Sequence, residues 1–220
     1  MKYQAVFFDL DGTILNTLDD LADSANHVLA AKGFPVHPTE RYKTFVGNGI
    51  PKLIERMLPS GASEQIIADT LTDFQAYYAL HKNDKTAPYP GIPELLQALK
   101  ARGIKLCVLS NKQHDLSVAI VRHHFEADTF NIIQGQSDRF PTKPDPTSCR
   151  FIMEQLSISA PHTLYVGDSN VDMQTAHNAG LIACGVSWGF RSVEELTQAG
   201  ADVIVTRPSD ILSFVAGEVQ

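Results

Sequence analysis

Residues 6–13, VFFDLDGT, join a short apolar run to two aspartates and a glycine. The apolar run stops at Asp9 and predicts a short buried strand. Asp9 and Asp11 are two positions apart, a spacing that places both side chains on one face of a strand, and we expect the chain to bend sharply at this pair, where the apolar strand ends. Gly12 permits such a bend because it tolerates backbone angles that other residues avoid. The segment therefore predicts a strand that delivers a pair of carboxylates to one site.

Further short apolar runs predict strands that alternate with helices. They lie at residues 106–109, 131–133, 164–166, 182–186 and 202–205. Between the first two predicted strands, residues 93–102 place Leu95, Leu96 and Leu99 on one face of a helix. Strands that alternate with helices indicate a parallel sheet covered on both faces. We therefore expect a three-layer, Rossmann-like α/β core.

The interval 17–85 has no strand pattern and predicts helices alone. Apolar residues recur at helical spacing from Leu18 to Leu29, and Thr17 with Asp20 predicts an N-terminal cap for that helix. Two more helices are predicted at 50–58 and 64–81. The proline-rich segment 86–91 then predicts a stiff return. We expect a core of residues 1–16 and 86–220, with residues 17–85 inserted as an α-helical cap.

Polar residues follow several of these strands, and one lysine precedes a helix. They are Asp9, Asp11, Ser110, Asn111, Lys143, Asp168 and Asp172. In open parallel sheets, ligands bind beyond the carboxyl ends of the strands, where the strand order reverses. Any one of these residues alone is more often a helix cap, a turn residue or a solvated side chain. In this order and after these strands, they together predict a catalytic edge.

Four segments resemble the motifs of the haloacid dehalogenase-like superfamily. Residues 7–13 (FFDLDGT) resemble the first motif, 110–112 (SNK) the second, 143–146 (KPDP) the third and 167–172 (GDSNVD) the fourth. Residues 45–49 (FVGNG) and 187–190 (SWGF) are similar to segments of its phosphoglycolate phosphatases. Asn16 departs from the pattern, because many relatives carry an acidic residue there. The resemblance spans nearly the whole chain and implies a helical cap.

The resemblance also implies chemical roles. Asp9 is the expected nucleophile and forms an aspartyl-phosphate, while Asp11 protonates the leaving alcohol and then takes a proton from water. Phosphoryl transfer mainly requires in-line positioning and stabilised charge on the transferred oxygens. Ser110, Asn111 and Lys143 are the residues expected to hold those oxygens.

A metal is expected because the site is rich in negative charge. Two like charges 4 Å apart repel by about 4 kcal/mol at an effective dielectric constant near 20, so a phosphate dianion would not bind beside several aspartates unaided. Mg²⁺ prefers oxygen ligands, few of them from protein. The implied ligands are the carboxylates of Asp9 and Asp168 and the backbone carbonyl of Asp11. The implied outer residues are Thr13 and Asp172, and the implied substrate contacts of the cap are Gly47, Asn48 and Gly49.

The expected activity is hydrolysis of a small phosphomonoester, and the resemblance favours 2-phosphoglycolate. The alternatives are a sugar phosphomutase of the same superfamily, a dehalogenase and a non-catalytic phosphometabolite sensor. Gly12-Thr13 resembles the phosphatase form of the first motif, whereas dehalogenation needs neither an acid at Asp11 nor Mg²⁺. A sensor does not need the two aspartates. Lys52 is either solvated or a contact for a substrate carboxylate, and Trp188 either borders the cavity or packs in the core.

The composition of the chain bears on which classes of binding partner are expected. The chain has 220 residues and a formal net charge of -7, and its 18 basic residues form no stripe that would fit nucleic acid. Neither a run of about 18 apolar residues nor a signal peptide is found, so no membrane partner is expected. The 3 cysteines lie far apart, which predicts free thiols and a reducing compartment, the cytoplasm. A monomer or a weak homodimer is expected.

Overall fold

The computed structural model describes residues 3–217, and a six-stranded parallel sheet lies at its centre. Its strands are β1 (Ala5–Phe8), β4 (Lys105–Gln113), β5 (Ile132–Gln136), β6 (Thr163–Gly167), β7 (Ile182–Val186) and β8 (Val203–Val205), while β2 (Leu15–Asn16) pairs with β3 (Ala87–Pro88) separately. The strand order is β5-β4-β1-β6-β7-β8. The chain builds outward from β1 to β5, then starts again at β6 on the other side. The strand order therefore reverses beside β1.

Helices cover both faces of this sheet. The helices are α1 (Leu18–Ala31), α2 (Thr39–Phe45), α3 (Ile50–Met57), α4 (Glu64–His81), α5 (Ile92–Ala101), α6 (His114–His124), α7 (Thr147–Leu156), α8 (Asn170–Ala179), α9 (Val193–Gln198) and α10 (Pro208–Ala216). Val6 and Phe8 of β1 pack in one apolar layer with α5, α6 and α10. Ala5 and Phe7 pack in the opposite layer with α7, α8 and α9. The alternation along β1 thus produces the predicted three layers. Within residues 3–217, no helix has the length and apolar character that crossing a membrane requires.

The first four helices lie between β2 and β3 along the chain, which confirms a helical insertion after the first strand. Strands β2 and β3 are antiparallel, with Leu15 opposite Pro88 and Asn16 opposite Ala87. The chain therefore leaves the core and returns to it at the same place. Helix α4 has the predicted bounds, and α3 ends one residue earlier than predicted. The division into a core and a cap at residues 17 and 85 stays a prediction.

The predicted start of α1 after Thr17 is confirmed, but the predicted capping role of Thr17 with Asp20 is wrong. Thr17 occupies the cap position but makes no side-chain capping bond. Its hydroxyl donates instead to the Asp11 carboxylate at 2.6 Å. The buried Asp20 carboxylate accepts the backbone N–H groups of Lys85, at 2.9 Å, and Thr86, at 2.8 Å. Both side chains are used for contacts between distant segments, which local spacing could not reveal.

Strand β4 is longer than predicted. It runs through Ser110 and Asn111 to Gln113, and its pairing with β5 is irregular between Leu109 and Gln113. The expected strand end at Leu109 is therefore wrong, although Leu109 is where the regular pairing stops. The irregular stretch carries the polar residues of the second motif.

Candidate active site

The chain bends immediately after β1. The Asp9 backbone N–H still bonds to Val166 of β6 at 2.9 Å, so the sheet positions this residue directly. Gly12 then takes a positive φ of 81°, and a Cβ atom there would lie 2.3 Å from an Asp168 carboxylate oxygen. A glycine is needed because any side chain would collide with that carboxylate. The bend brings Asp9 and Asp11 to the same cleft.

Each of these two aspartates forms an ion pair with its own buried lysine. Lys143 Nζ lies 2.9 Å from Asp9 Oδ1, and Lys112 Nζ lies 2.9 Å from Asp11 Oδ1. Lys112 is also 3.2 Å from the second oxygen of Asp11, while Lys143 is also 2.7 Å from Asp172. Because buried charges are costly unless they are paired, both contacts fix the lysines in place.

A second pair of aspartates comes from the loop and helix that follow β6. Asp168 accepts the backbone N–H of Phe190 at 2.7 Å and the hydroxyl of Thr13 at 3.3 Å. Asp172 accepts the hydroxyl of Ser169 at 2.6 Å in a capping box at the start of α8. Thr13 thus contacts Asp168 and Asp172 contacts Lys143, and their assignment as outer residues of a metal site stays a prediction.

Three carboxylates of the site are clustered and suit a metal ion. Asp9, Asp168 and Asp172 each offer an oxygen, and these atoms lie within 4.8 Å of one another. Mg²⁺ favours such carboxylate oxygens. Asp9 and Asp168 line the cleft, whereas Asp172 is fully buried beside it, which favours Asp9 and Asp168 as the ligands. The Asp11 carboxylate faces Lys112, so the predicted contribution of its backbone carbonyl stays a prediction.

The carboxylates of the cluster carry more negative charge than Lys143 can balance. Burial raises the pKa of Asp9 to about 7, against the opposing charge of Lys143. Burial, followed by the charges of Asp172 and Asp9, raises the pKa of Asp168 well above its usual range. Burial lowers the pKa of Lys143, but Asp172 and Asp9 outweigh it and raise that pKa overall. A divalent cation would relieve the carboxylates, so the residues present fit Mg²⁺.

Ser110 and Asn111 lie on the irregular end of β4 and line the same cleft. The Ser110 hydroxyl accepts the backbone N–H of Lys112 at 3.2 Å. Asn111 accepts the backbone N–H of Lys143 at 2.8 Å and donates to its carbonyl and to that of Gly47, both at 3.2 Å. Asn111 therefore holds the Lys143 loop and the loop after α2 together.

The loop between α2 and α3 closes one side of the cleft. Gly47 and Gly49 line it, whereas the Asn48 side chain is turned to Arg56 at 2.7 Å. Gly49 has a φ of 84°, and a Cβ atom there would lie 3.3 Å from the Asn111 carbonyl oxygen. Lys52 points away and pairs with Glu55 at 2.5 Å, which favours the solvated alternative.

Arg191, from the segment after β7, ties this loop to the core. Its guanidinium donates to the carbonyl of Lys43 and, at 2.7 Å, to that of Val46. Trp188 in the same segment donates its indole N–H to the Thr13 carbonyl at 3.0 Å and packs against the apolar layer of α5. Trp188 thus packs against the core.

Comparison with known families settles the membership of the chain. The model of the family described as haloacid dehalogenase-like hydrolase matches residues 6–186. The chain belongs to the haloacid dehalogenase-like hydrolase family. This confirms the resemblance drawn from the four motifs.

Individual relatives of this hydrolase share most of its length. A phosphoglycolate phosphatase of Neisseria gonorrhoeae is 34% identical over 213 residues, covering 95% of this chain and 89% of the relative. One of Vibrio parahaemolyticus is 32% identical over 218 residues, covering 96% and 95%. A solved structure from Lactobacillus delbrueckii subsp. bulgaricus has 31% identity and a TM-score of 0.93, and covers 98% and 99% of the two chains. The predicted class, a phosphoric monoester hydrolase of the phosphoglycolate phosphatase-like subgroup, is confirmed.

Two cations of this hydrolase were not assigned a role from sequence. Lys112 was recognised only as the third residue of the second motif, and Arg191 was not singled out. The spacing of Lys112 from Ser110 was a usable signal, because residues two positions apart on a strand point to the same side. Arg191 gave no local signal for this role, because the two carbonyls that it binds, those of Lys43 and Val46, lie more than a hundred residues away in sequence.

Proposed function

We propose that this hydrolase is a Mg²⁺-dependent phosphatase acting on a small phosphomonoester, 2-phosphoglycolate, through an aspartyl-phosphate on Asp9. The observation that carries the proposal is the pair of aspartates after β1, each with its own buried lysine, in a cleft where the strand order reverses. The names of the relatives support the choice of substrate.

In the first step, a carboxylate oxygen of Asp9 attacks phosphorus, and the bond from phosphorus to the bridging oxygen breaks. Asp11 gives its proton to that oxygen, so the leaving group departs as a neutral alcohol. Lys143, 2.9 Å from Asp9 Oδ1, is placed to offset charge on the phosphoryl oxygens. The Ser110 hydroxyl lines the cleft and can donate to them, and Asn111 keeps Lys143 in position.

In the second step, a water molecule attacks phosphorus of the aspartyl-phosphate. Asp11, now deprotonated, takes a proton from that water. The bond between phosphorus and the Asp9 oxygen breaks, which releases inorganic phosphate and restores the carboxylate. The covalent intermediate splits one difficult displacement into two easier ones.

The proposed ligands of Mg²⁺ are the carboxylates of Asp9 and Asp168 and the backbone carbonyl of Asp11. When bound, the ion supplies positive charge that offsets repulsion between the phosphate dianion and the carboxylates. Thr13 orients Asp168 through its hydroxyl, and Asp172 orients Lys143. The loop of Gly47, Asn48 and Gly49 is proposed to shape the space for the alcohol.

The test combines phosphate release with detection of the intermediate. Purified protein is mixed with 2-phosphoglycolate and Mg²⁺, quenched in acid and analysed by peptide mass spectrometry. We expect one phosphoryl group on the peptide that contains Asp9, and inorganic phosphate in solution. Asp9→Asn should abolish both while circular dichroism stays unchanged, and Asp128→Asn, at an exposed site, should behave like wild type.

Three results would contradict the proposal. Turnover by Asp9→Asn above about one hundredth of wild type would exclude Asp9 as the nucleophile. Transfer of the phosphoryl group to a second sugar phosphate instead of water would indicate a phosphomutase. Tight binding of phosphorylated metabolites without phosphate release would indicate a sensor.

A further inference from the structure

The two lysine–aspartate pairs of the site differ in their surroundings. Lys143 also contacts Asp172, and its backbone is held by Asn111, so it belongs to the phosphoryl end of the site. Lys112 reaches Asp11 from the other direction and lies over the ring of Tyr78 in α4, 4.8 Å from its centroid. Lys112 therefore lies between the proton donor of the proposed reaction and the inserted helices.

The contact between Lys112 and Asp11 limits how far Lys112 can lie from the leaving group. A group that protonates the leaving oxygen must come within about 2.6–3.2 Å of it. Lys112 Nζ lies 2.9 Å from the same Asp11 carboxylate, so it would stand roughly 6 Å or less from that oxygen. In a glycolate ester, the carboxylate is attached one carbon beyond the bridging oxygen. When the ester is turned so that its carboxylate points to Lys112, the carboxylate oxygens can come within hydrogen-bond distance of the ammonium.

The hydrogen-bonding capacity of Lys112 allows a second anion. An ammonium group has three donors. The two hydrogen bonds of Lys112 Nζ in the structure both run to the Asp11 carboxylate, at 2.9 and 3.2 Å. The Tyr78 ring centroid lies 4.8 Å from Lys112 Nζ, a favourable electrostatic contact, and the buried Tyr78 hydroxyl makes no hydrogen bond to any described residue. A substrate carboxylate can therefore share Lys112 with Asp11.

The neighbouring cations are committed elsewhere. Arg191 lines the cleft, but it donates to the carbonyls of Lys43 and Val46, and its Nε lies 3.3 Å from Glu195. Lys52 pairs with Glu55, and its side chain is 54% exposed. The Lys112 side chain is 2% exposed and still lines the cleft. A buried, cleft-lining ammonium is well placed for a charge-assisted contact.

We propose that Lys112 selects the leaving group, so that the enzyme prefers phosphomonoesters whose alcohol carries a carboxylate on the carbon bonded to the bridging oxygen. The inference rests on the proposed phosphatase function and adds the residue that recognises this class of substrate. Lys112 binds the carboxylate directly, whereas Lys143 serves the phosphoryl group that every phosphomonoester shares. Preference for the alcohol and transfer of phosphate therefore depend on different lysines.

The experiment compares two esters that differ in the carboxylate. Values of kcat/KM are measured for 2-phosphoglycolate and ethyl phosphate with wild type, Lys112→Met and Lys112→Arg. A charge-assisted hydrogen bond predicts that Lys112→Met lowers the preference for 2-phosphoglycolate by about 10- to 100-fold, chiefly through KM. Lys112→Arg keeps the charge and should keep most of the preference. Lys52→Met, which changes a lysine outside the cleft, should match wild type.

A binding measurement that needs no turnover accompanies the kinetics. Inhibition by 3-phosphonopropionate is compared with inhibition by propylphosphonate, which lacks the carboxylate. We expect wild type to bind the carboxylated phosphonate at least about 10-fold more tightly, and Lys112→Met to lose that difference. If Lys112→Met does not fold, the wild-type inhibitor ratio and the Lys112→Arg kinetics still test the inference.

Separate outcomes overturn the two proposals. Equal loss of kcat/KM for both esters in Lys112→Met would make Lys112 a positioning residue for Asp11. A wild type that hydrolyses ethyl phosphate without preferring 2-phosphoglycolate, or that binds both phosphonates equally, would overturn the role of Lys112 and leave the phosphatase proposal intact. Failure to hydrolyse either ester would overturn the phosphatase proposal and this inference with it.

Discussion

Removing the Lys143 ammonium should destabilise the metal-free protein far more than removing an exposed lysine at the same distance from its partner. Lys143→Met breaks the contacts with Asp172 at 2.7 Å and Asp9 at 2.9 Å, and both partners are buried. The matched control is Lys100→Met, because Lys100 pairs with Asp128 at 2.7 Å with side chains 45% and 75% exposed.

The expected magnitudes follow from burial. Breaking a buried ion pair costs about 3–5 kcal/mol, because it leaves an uncompensated charge. An exposed pair contributes about 1 kcal/mol or less. For a chain of this size, 1 kcal/mol shifts Tm by about 2–4 °C. Lys143→Met should therefore lower Tm by about 10 °C, and Lys100→Met by about 4 °C at most.

The loss of stability in Lys143→Met relative to wild type should grow as the pH rises. Burial raises the pKa of Asp9 from 3.8 to about 7 in the folded protein. A carboxyl with a raised folded pKa stabilises the fold fully below its unfolded pKa, and this stabilisation is lost as pH rises through the folded value. Lys143 opposes the rise in pKa, so its removal makes the loss larger. The deficit of Lys143→Met should be greater at pH 8 than at pH 5.5.

The assay is thermal unfolding in EDTA, followed by calorimetry at both pH values for wild type and the two variants. Equal Tm shifts for Lys143→Met and Lys100→Met would refute the energetic role of the buried pair. A Lys143→Met deficit that is the same at pH 5.5 and pH 8 would refute the account of the carboxylates.

Three further predictions follow from the site and its supports. Mg²⁺ at a hundredfold excess over its Kd at pH 8 should stabilise wild type by about 2.7 kcal/mol at that pH. The same concentration should stabilise it by less at pH 5.5, because the carboxylate ligands must lose protons, and equal Tm gains would contradict this. Gly49→Val and Gly61→Val replace glycines at φ values of 84° and 85°, so each should lower the free energy of unfolding by about 1–3 kcal/mol. Gly49 lines the cleft, so only Gly49→Val should also raise KM and lower kcat. Unchanged kinetics in Gly49→Val would exclude that loop from substrate selection. Asp20→Ala should lower the free energy of unfolding in urea by about 2 kcal/mol or more, because it leaves the backbone N–H groups of Lys85 and Thr86 unpaired. Asp19→Ala, at an exposed position, should have little effect. Similar values for both variants would contradict the role of Asp20 in holding this segment.

Much of the fold could be predicted because the core strands are short apolar runs. Strand β1 was predicted from its apolar residues 6–8, and the predicted bounds of α4, residues 64–81, are confirmed. The end of β4 could not be placed, because Ser110 and Asn111 continue the strand with polar side chains that face a cleft. Propensity does not describe a strand end that is held by tertiary contacts.

The site was predictable to the extent that its residues follow strands. The sheet brings Asp9, Asp11 and Asp168 to one cleft, as expected for carboxyl ends of parallel strands. The side chains that pair with these aspartates were harder to predict from the sequence. Thr17 looked like a helix cap, but its hydroxyl donates to the half-buried Asp11 carboxylate in a charge-assisted hydrogen bond that local spacing does not reveal. Pairings across a hundred residues, such as Lys112 with Asp11, need the folded chain to become visible.

The pairing of β2 with β3 has a consequence for how such proteins diversify. Because Leu15 lies opposite Pro88 and Asn16 opposite Ala87, the seventy residues between them form a loop with a closed base. A different insertion with ends at this spacing would leave the register of β1 with β4 and β6 untouched. Recombination at residues 16 and 87 could therefore exchange the inserted helices, including the loop proposed to shape the space for the alcohol, while keeping the sheet and the aspartates that follow it. The same closed base makes these two positions natural boundaries for building chimaeras with new substrate ranges.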